Sequence, residues 1–182
     1  MYTSSLQVIS QYNRAMVGGK ALNLSKLISA GLPVPSGFLV LTTAYERFVA
    51  ANHLQREIER LVQTVSPDQP ATAEAASNEI LQLFEQAALP AELEAAILNA
   101  YQHLAASAVA VRSSATTEDQ PGASFAGQHE TFLNLGSAPE VFSALKRCWA
   151  SLWSARALSY RERQQIAHSS ARMAVIVQQM VP

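Results

Sequence analysis

The chain predicts an α+β fold, a mixed or antiparallel sheet with packed helices, and two observations carry that expectation. Long segments place apolar residues three and four positions apart, as one face of a helix requires, while short apolar runs bounded by turn residues read as strands. With 182 residues, 49% of them hydrophobic, the chain can bury a sizeable core. That length suggests one domain, with room for two lobes, and no internal repeat or low-complexity tract divides it.

The first element is a helix opened by Gly18-Gly19, in which Leu22, Leu24, Leu27 and Ile28 recur at helical spacing. Gly31 stands where a C-terminal cap is expected. Pro33 and Pro35 forbid helix, so Phe38-Leu39-Val40-Leu41 becomes a short buried strand that stops at Thr42-Thr43. Thr43 and Glu46 have the spacing of a capping box for the next helix. Residues 66–70, Ser-Pro-Asp-Gln-Pro, form a surface linker between helical segments. Ile80 and Phe84, with Ala87 or Ala88, make one apolar stripe; after Pro90 at a helix start, Leu93, Ile97, Tyr101 and Leu104 make another. A strand carries Val109 and Val111 and ends at Arg112. From His129 to Leu135 the pattern sets Thr131, Leu133 and Leu135 against Phe132 and Asn134, as on a sheet strand. Ser137 with Glu140 opens a further capped helix whose apolar face collects Val141, Leu145, Cys148, Trp149 and Leu152. Trp149 and Trp153 read as core anchors. Met173 to Val181 closes the order as an apolar strand.

Basic and acidic residues nearly cancel, 13 against 14, which removes any general attraction for nucleic acid or a membrane surface. The N-terminus lacks a charged-then-apolar signal pattern, and no uncharged run approaches the roughly 20 residues of a membrane span, so a cytoplasmic location is expected. The single cysteine, Cys148, cannot form an internal disulfide, and among apolar helical residues it reads as a core side chain rather than a nucleophile.

The most informative stretch runs Ala110-Val111-Arg112-Ser113-Ser114-Ala115-Thr116-Thr117-Glu118-Asp119, then Ser124-Phe125-Ala126-Gly127-Gln128, to Thr131-Phe132-Leu133-Asn134. An apolar run delivers one arginine to the mouth of a small-residue loop. Nothing bulky blocks the backbone at Ala126-Gly127, so its amides have room to approach an anion, as a phosphate nest requires. Arginine suits that partner because its planar fork donates two parallel hydrogen bonds and stays charged. The same pattern also fits an ordinary hairpin with a surface arginine. Glu118 and Asp119 are adjacent, point in different directions on any regular element, and read as loop polarity. With its polar residues and a lone apolar anchor, Phe125, the loop from Thr117 to Gly127 is expected to be mobile without ligand.

The whole string resembles the signature of the nucleotide-binding region at the N-terminus of phosphoenolpyruvate synthase, pyruvate phosphate dikinase and rifampicin phosphotransferase, which share an ATP-grasp domain. Three further segments match in the same order. They are Val17-Gly18-Gly19-Lys20-Ala21-Leu22-Asn23-Leu24, Gly31-Leu32-Pro33-Val34-Pro35-Ser36-Gly37-Phe38 and Ala174-Val175-Ile176-Val177-Gln178-Gln179-Met180-Val181. The likeness spans nearly the whole chain, apart from a helical stretch around residues 52–104.

That resemblance implies a phosphotransferase whose ATP lies between two lobes. Lys20 would reach a phosphate as a mobile point charge, since a first-turn lysine sits poorly beside a helix dipole; a solvated lysine is the plainer alternative. Arg112 would clamp phosphate oxygens and stabilise charge on the transferring group, the catalytic role. Gly127 would present backbone N–H groups and Thr131 a hydroxyl, although a strand threonine also serves packing. Gln178 would hydrogen-bond the nucleotide near its adenine or ribose, or else face water from its strand. The histidines, His53, His103, His129 and His168, are scattered, and none lies in the Thr-Cys-His segment that carries the phosphorylated histidine of such enzymes.

By the same resemblance, residues 1–182 are the N-terminal portion of an ATP-grasp domain, whether a piece of a longer enzyme or a shortened reading frame. A second lobe with the Mg2+ ligands, a phosphohistidine domain and an acceptor domain would lie elsewhere. The full enzyme would pass phosphate from ATP through histidine to pyruvate, while the piece alone is expected to be inactive and to associate with itself at an exposed strand edge near Ala174–Val177. Rifampicin, or phosphate as a dikinase co-substrate, would change the acceptor, and a stand-alone nucleotide-binding module is the reading from another class.

Overall fold

The computed structural model of the protein describes residues 1–116 and 130–181. Among these, five strands form one sheet: β1 (Thr3–Ser5), β2 (Gly37–Val40), β3 (Val109–Ala115), β4 (Thr131–Leu135) and β5 (Met173–Gln179). Their order is β1-β2-β5-β3-β4 and every pair is antiparallel. The helices are α1 (Arg14–Ser29), α2 (Thr42–Ala51), α3 (Leu54–Val62), α4 (Pro70–Gln86), α5 (Ala91–Leu104), α6 (Ala138–Ala150) and α7 (Ala155–Arg163).

Alternation along the strands sends apolar residues to both faces, and each face has its own cover. Phe38, Val40, Val109, Val111, Met173, Val175 and Val177 join a large core with residues of α2 to α7. Its centre is aromatic: Phe48 lies 5.0 Å from Trp149 and 5.6 Å from Phe84, centroid to centroid. Leu39, Leu41, Ala174 and Ile176 point the other way, into a smaller core with Val17 and Ala21 of α1 and Leu6 and Ile9 of a 3-10 turn. One face of the sheet is therefore covered by six helices, and the other by α1 and that turn.

Several elements form for the reasons read from the sequence. Beyond α1, Gly31 takes φ 74°. Its amide donates to Ile28 and that of Leu32 to Leu27, so two orphan carbonyls are satisfied in a Schellman motif. At the start of α6, Ser137 Oγ accepts from the Glu140 amide while the Glu140 carboxylate reaches back to the Gly136 amide at 3.0 Å. The Ser137 hydroxyl also donates to Glu140 Oε2 at 2.8 Å, and this bond first, with the Gly136 amide second, holds the Glu140 carboxyl below its usual range.

Other expectations are corrected. Thr43 does not cap α2, because its hydroxyl donates to the Met1 carbonyl and Glu46 pairs with Arg172 at 2.7 Å; the neighbouring Thr42 instead ties α2 to the Ala15 carbonyl at 2.9 Å. The alternation of β4 breaks at Asn134, where φ is 59°. Register shifts between the Val109–Leu135 and Val111–Phe132 pairs, so Leu135 packs on the large core with Phe132 while Leu133 stays exposed. The strand at Ala174–Val177 has no open edge either: β5 is central, with β2 on one side and β3 on the other.

Candidate functional site

Arg112 points to the α1 face of the sheet, since it alternates with Val111, which faces the larger core. Its register partners are Thr131 on β4 and Ile176 on β5. Directly opposed residues share a face, so the Thr131 side chain stands on the same face as Arg112. Gln178 is two residues beyond Ile176, opposite Ala110, and so falls on the same face as the diagonal neighbour of Arg112. The arginine is half-buried, and among the described residues its guanidinium makes no hydrogen bond or ion pair.

Lys20 arrives at this place from α1. Its Nζ donates to the Ser113 carbonyl at 3.3 Å, one residue beyond Arg112. Gln178 is 6% exposed and its Nε2 donates to the Pro35 carbonyl at 3.1 Å. That bond orients the amide from the β2 side, where Gly37 faces it in register. A Cβ at Gly37 would meet the Val177 carbonyl oxygen at 2.4 Å, so glycine is what lets β2 and β5 close here. The structure thus gathers Lys20, Arg112, Thr131 and Gln178 around one part of one face. Gly127, the Glu118-Asp119 pair and the expected mobility of the Thr117–Gly127 loop lie outside the described residues.

Sequence reasoning passed over the serines that follow Arg112. Ser113 donates its amide to the Glu130 carbonyl, fastening β3 to the start of β4. Ser114 is fully buried and bonds twice to α1: its Oγ accepts from the Ala21 amide at 3.1 Å and donates to the Val17 carbonyl at 2.9 Å. The available signal was Gly18, a glycine inside a helical pattern, which marks close backbone approach.

Several ionisable groups away from this face are held inside the fold. Arg161 Nε donates to His168 Nδ1 at 2.9 Å, which fixes the neutral ring with its Nε2 proton directed at Glu162, 2.8 Å away. Burial lowers the His168 pKa, against the opposing effect of Glu162. Burial also brings Arg161 down to about 10 and pushes Tyr45, which accepts from Trp153 Nε1 at 3.2 Å, up to about 12. Cys148 is buried in α6, and burial raises its thiol well above the ordinary range. Among the described residues no three His, Cys, Asp or Glu side chains gather as a metal site.

A half-buried arginine without a partner among the described residues, a lysine bonded to the carbonyl one residue further on and polar strand residues on the same face come together on this α+β domain. Residues 14–182 match the family described as pyruvate phosphate dikinase, AMP/ATP-binding domain, and the chain belongs to that family. It is 46% identical to phosphoenolpyruvate synthase of Aeropyrum pernix, over 97% of this chain and 22% of that protein. Rifampicin phosphotransferase of Streptomyces sviceus is 44% identical over 99% of this chain and 21% of that protein. A probable phosphoenolpyruvate synthase of Methanothermobacter thermautotrophicus is 37% identical over 99% of this chain and 27% of its own length. The chain therefore spans between a fifth and somewhat over a quarter of these relatives.

Proposed function

We propose that this chain is the ATP-binding portion of a phosphoenolpyruvate synthase-like phosphotransferase, with Lys20 and Arg112 on the phosphates. The observation that carries the reading is the Arg112 guanidinium, without a partner among the described residues and one residue from the carbonyl that holds Lys20 Nζ. Arg112 offers a bidentate fork to the transferring phosphoryl group, and Lys20 a point charge to the same chain of phosphates. Thr131 adds a hydroxyl beside Arg112, Gly127 contributes backbone amides, and Gln178 meets the nucleoside end with its amide. Positioning and electrostatics do most of the work in phosphoryl transfer, so these groups stabilise charge without becoming covalent intermediates.

Magnesium, which such a reaction would use to neutralise phosphate charge, finds no ligand set among the described residues. In the whole protein one phosphoryl group of ATP would pass to a histidine of another domain and on to pyruvate, while water would take up the other, leaving AMP and phosphate. Rifampicin is the alternative acceptor, by the likeness to a rifampicin phosphotransferase at 44% identity, and it is not favoured over pyruvate. A cytoplasmic location accords with the described helices, none of which is long and apolar enough to cross a membrane. Self-association, if the chain is isolated, would use the outer edge of β4, where Leu133 is 55% exposed.

Titration of the chain with ATP, followed by NMR, tests the nucleotide site. Weak saturable binding that falls in Lys20→Met and Arg112→Ala supports it, and binding unchanged in both variants refutes it. In the whole protein, phosphorus NMR of product formation with pyruvate or rifampicin identifies the acceptor.

A further inference from the structure

The hydroxyl of Ser114 stands where a helix rung is missing. In an unbroken helix the Ala21 amide would donate to the Val17 carbonyl, four residues earlier. Gly18 opens that ladder, with φ 75° and ψ 172° inside α1. Ser114 Oγ fills the gap, accepting from Ala21 and donating to Val17. A hydroxyl can do both at once, which is what an orphan donor facing an orphan acceptor requires. The approach is close: a Cβ at Gly18 would fall 2.2 Å from the Ser114 carbonyl oxygen and 2.5 Å from its Oγ. A side chain at position 18 would have to push the strand away, quite apart from the left-handed backbone.

The break in α1 also sets the aim of Lys20. Lys20 lies two positions beyond Gly18, and its ammonium reaches back to the Ser113 carbonyl on the strand that carries Arg112. If the rung between Ala21 and Val17 closed directly, the helix would straighten at Gly18 and Lys20 would turn about its axis.

We propose that Ser114 is a positioning residue of the nucleotide site. By standing in for the missing rung it holds α1 open at Gly18 and keeps the Lys20 ammonium beside Arg112. This role rests on the phosphate-binding reading of Lys20 given above, and Ser114, fully buried with both its hydroxyl bonds on α1, acts through that helix.

A double-mutant cycle on ATP affinity tests it, with Ser114→Ala and Lys20→Met made singly and together in the full chain. Ser114→Ala should weaken ATP binding about tenfold when Lys20 is present and less than about twofold when position 20 is already methionine. Unchanged binding in Ser114→Ala, or an equal loss in both backgrounds, overturns the positioning role. Loss of affinity in Lys20→Met alongside that result leaves the nucleotide site standing. No binding of ATP by the wild-type chain, or no effect of Lys20→Met and Arg112→Ala, overturns the site as well. Should Ser114→Ala fail to fold, Ser114→Cys, a side chain of similar size with a weak donor and acceptor, enters the same cycle and the same outcomes decide.

Discussion

Replacing Arg112 by alanine separates the fold from the proposed chemistry. The guanidinium is half-buried and unpartnered among the described residues, so truncation breaks no internal ion pair and strands no buried acceptor there. What the fold loses is packing of the aliphatic stem and a small strand preference, together below about 1 kcal/mol. The site would lose far more. A preorganised charged donor on a developing negative charge is worth about 3 kcal/mol, which is roughly a hundredfold in rate. Arg112→Lys keeps the charge but not the fork and should recover little of the loss. Urea unfolding of the chain and phosphoryl-transfer rates of the whole protein measure the two sides separately. Near-wild-type turnover in either variant removes Arg112 from the site. A stability loss of several kcal/mol would show that the arginine has a structural partner.

Three further outcomes follow from particular contacts. His168 has a folded pKa lowered by burial, so near and below its ordinary value of about 6.5 the unfolded chain binds more protons than the folded one. Stability should therefore be complete above about pH 7 and fall as pH drops through 6.5 towards the depressed value; urea midpoints of wild type and His168→Gln between pH 5 and 8, with a flatter curve for the variant, check this. Gly37→Ala should cost about 1–3 kcal/mol or more in the same assay, because its Cβ would press on the Val177 carbonyl oxygen at 2.4 Å; a neutral substitution would mean that β2 and β5 separate easily. Cys148 should resist thiol reagents in the native chain and react at once in urea, since it is buried and its thiol is held protonated; fast native labelling would show that α6 opens.

The helices and most strands were legible because their signals are local. Apolar spacing found the inner faces of α4, α5 and α6, and Gly31 and Ser137 act within a few residues of themselves. Thr43 misled for a definite reason: the hydroxyl had a distant acceptor, Met1 O, which no local spacing reveals. Asn134 adds one residue to β4 and re-aims Leu135, an effect of its left-handed backbone rather than of hydrophobicity. The central place of β5 could have been read directly. Met173 to Val177 is apolar without alternation, which signals a strand buried on both faces, and all five residues are buried.

For the site, residue type was legible and mutual placement was not. Lys20 and Arg112 belong to segments whose junction depends on contacts 93 and 97 positions apart in sequence, from Lys20 and Ala21 to Ser113 and Ser114 and from Ser114 to Val17. No periodicity encodes such a junction. What the sequence does carry is its steric condition, a glycine at 18 and a small hydroxyl side chain at 114, because the backbones approach too closely for anything larger. The two charges are thus set by a strand and a broken helix locked together, not by loops. Elements held in this way lose little entropy when an anion arrives, so in the proposed site the backbone that carries the lysine and the arginine is already in place.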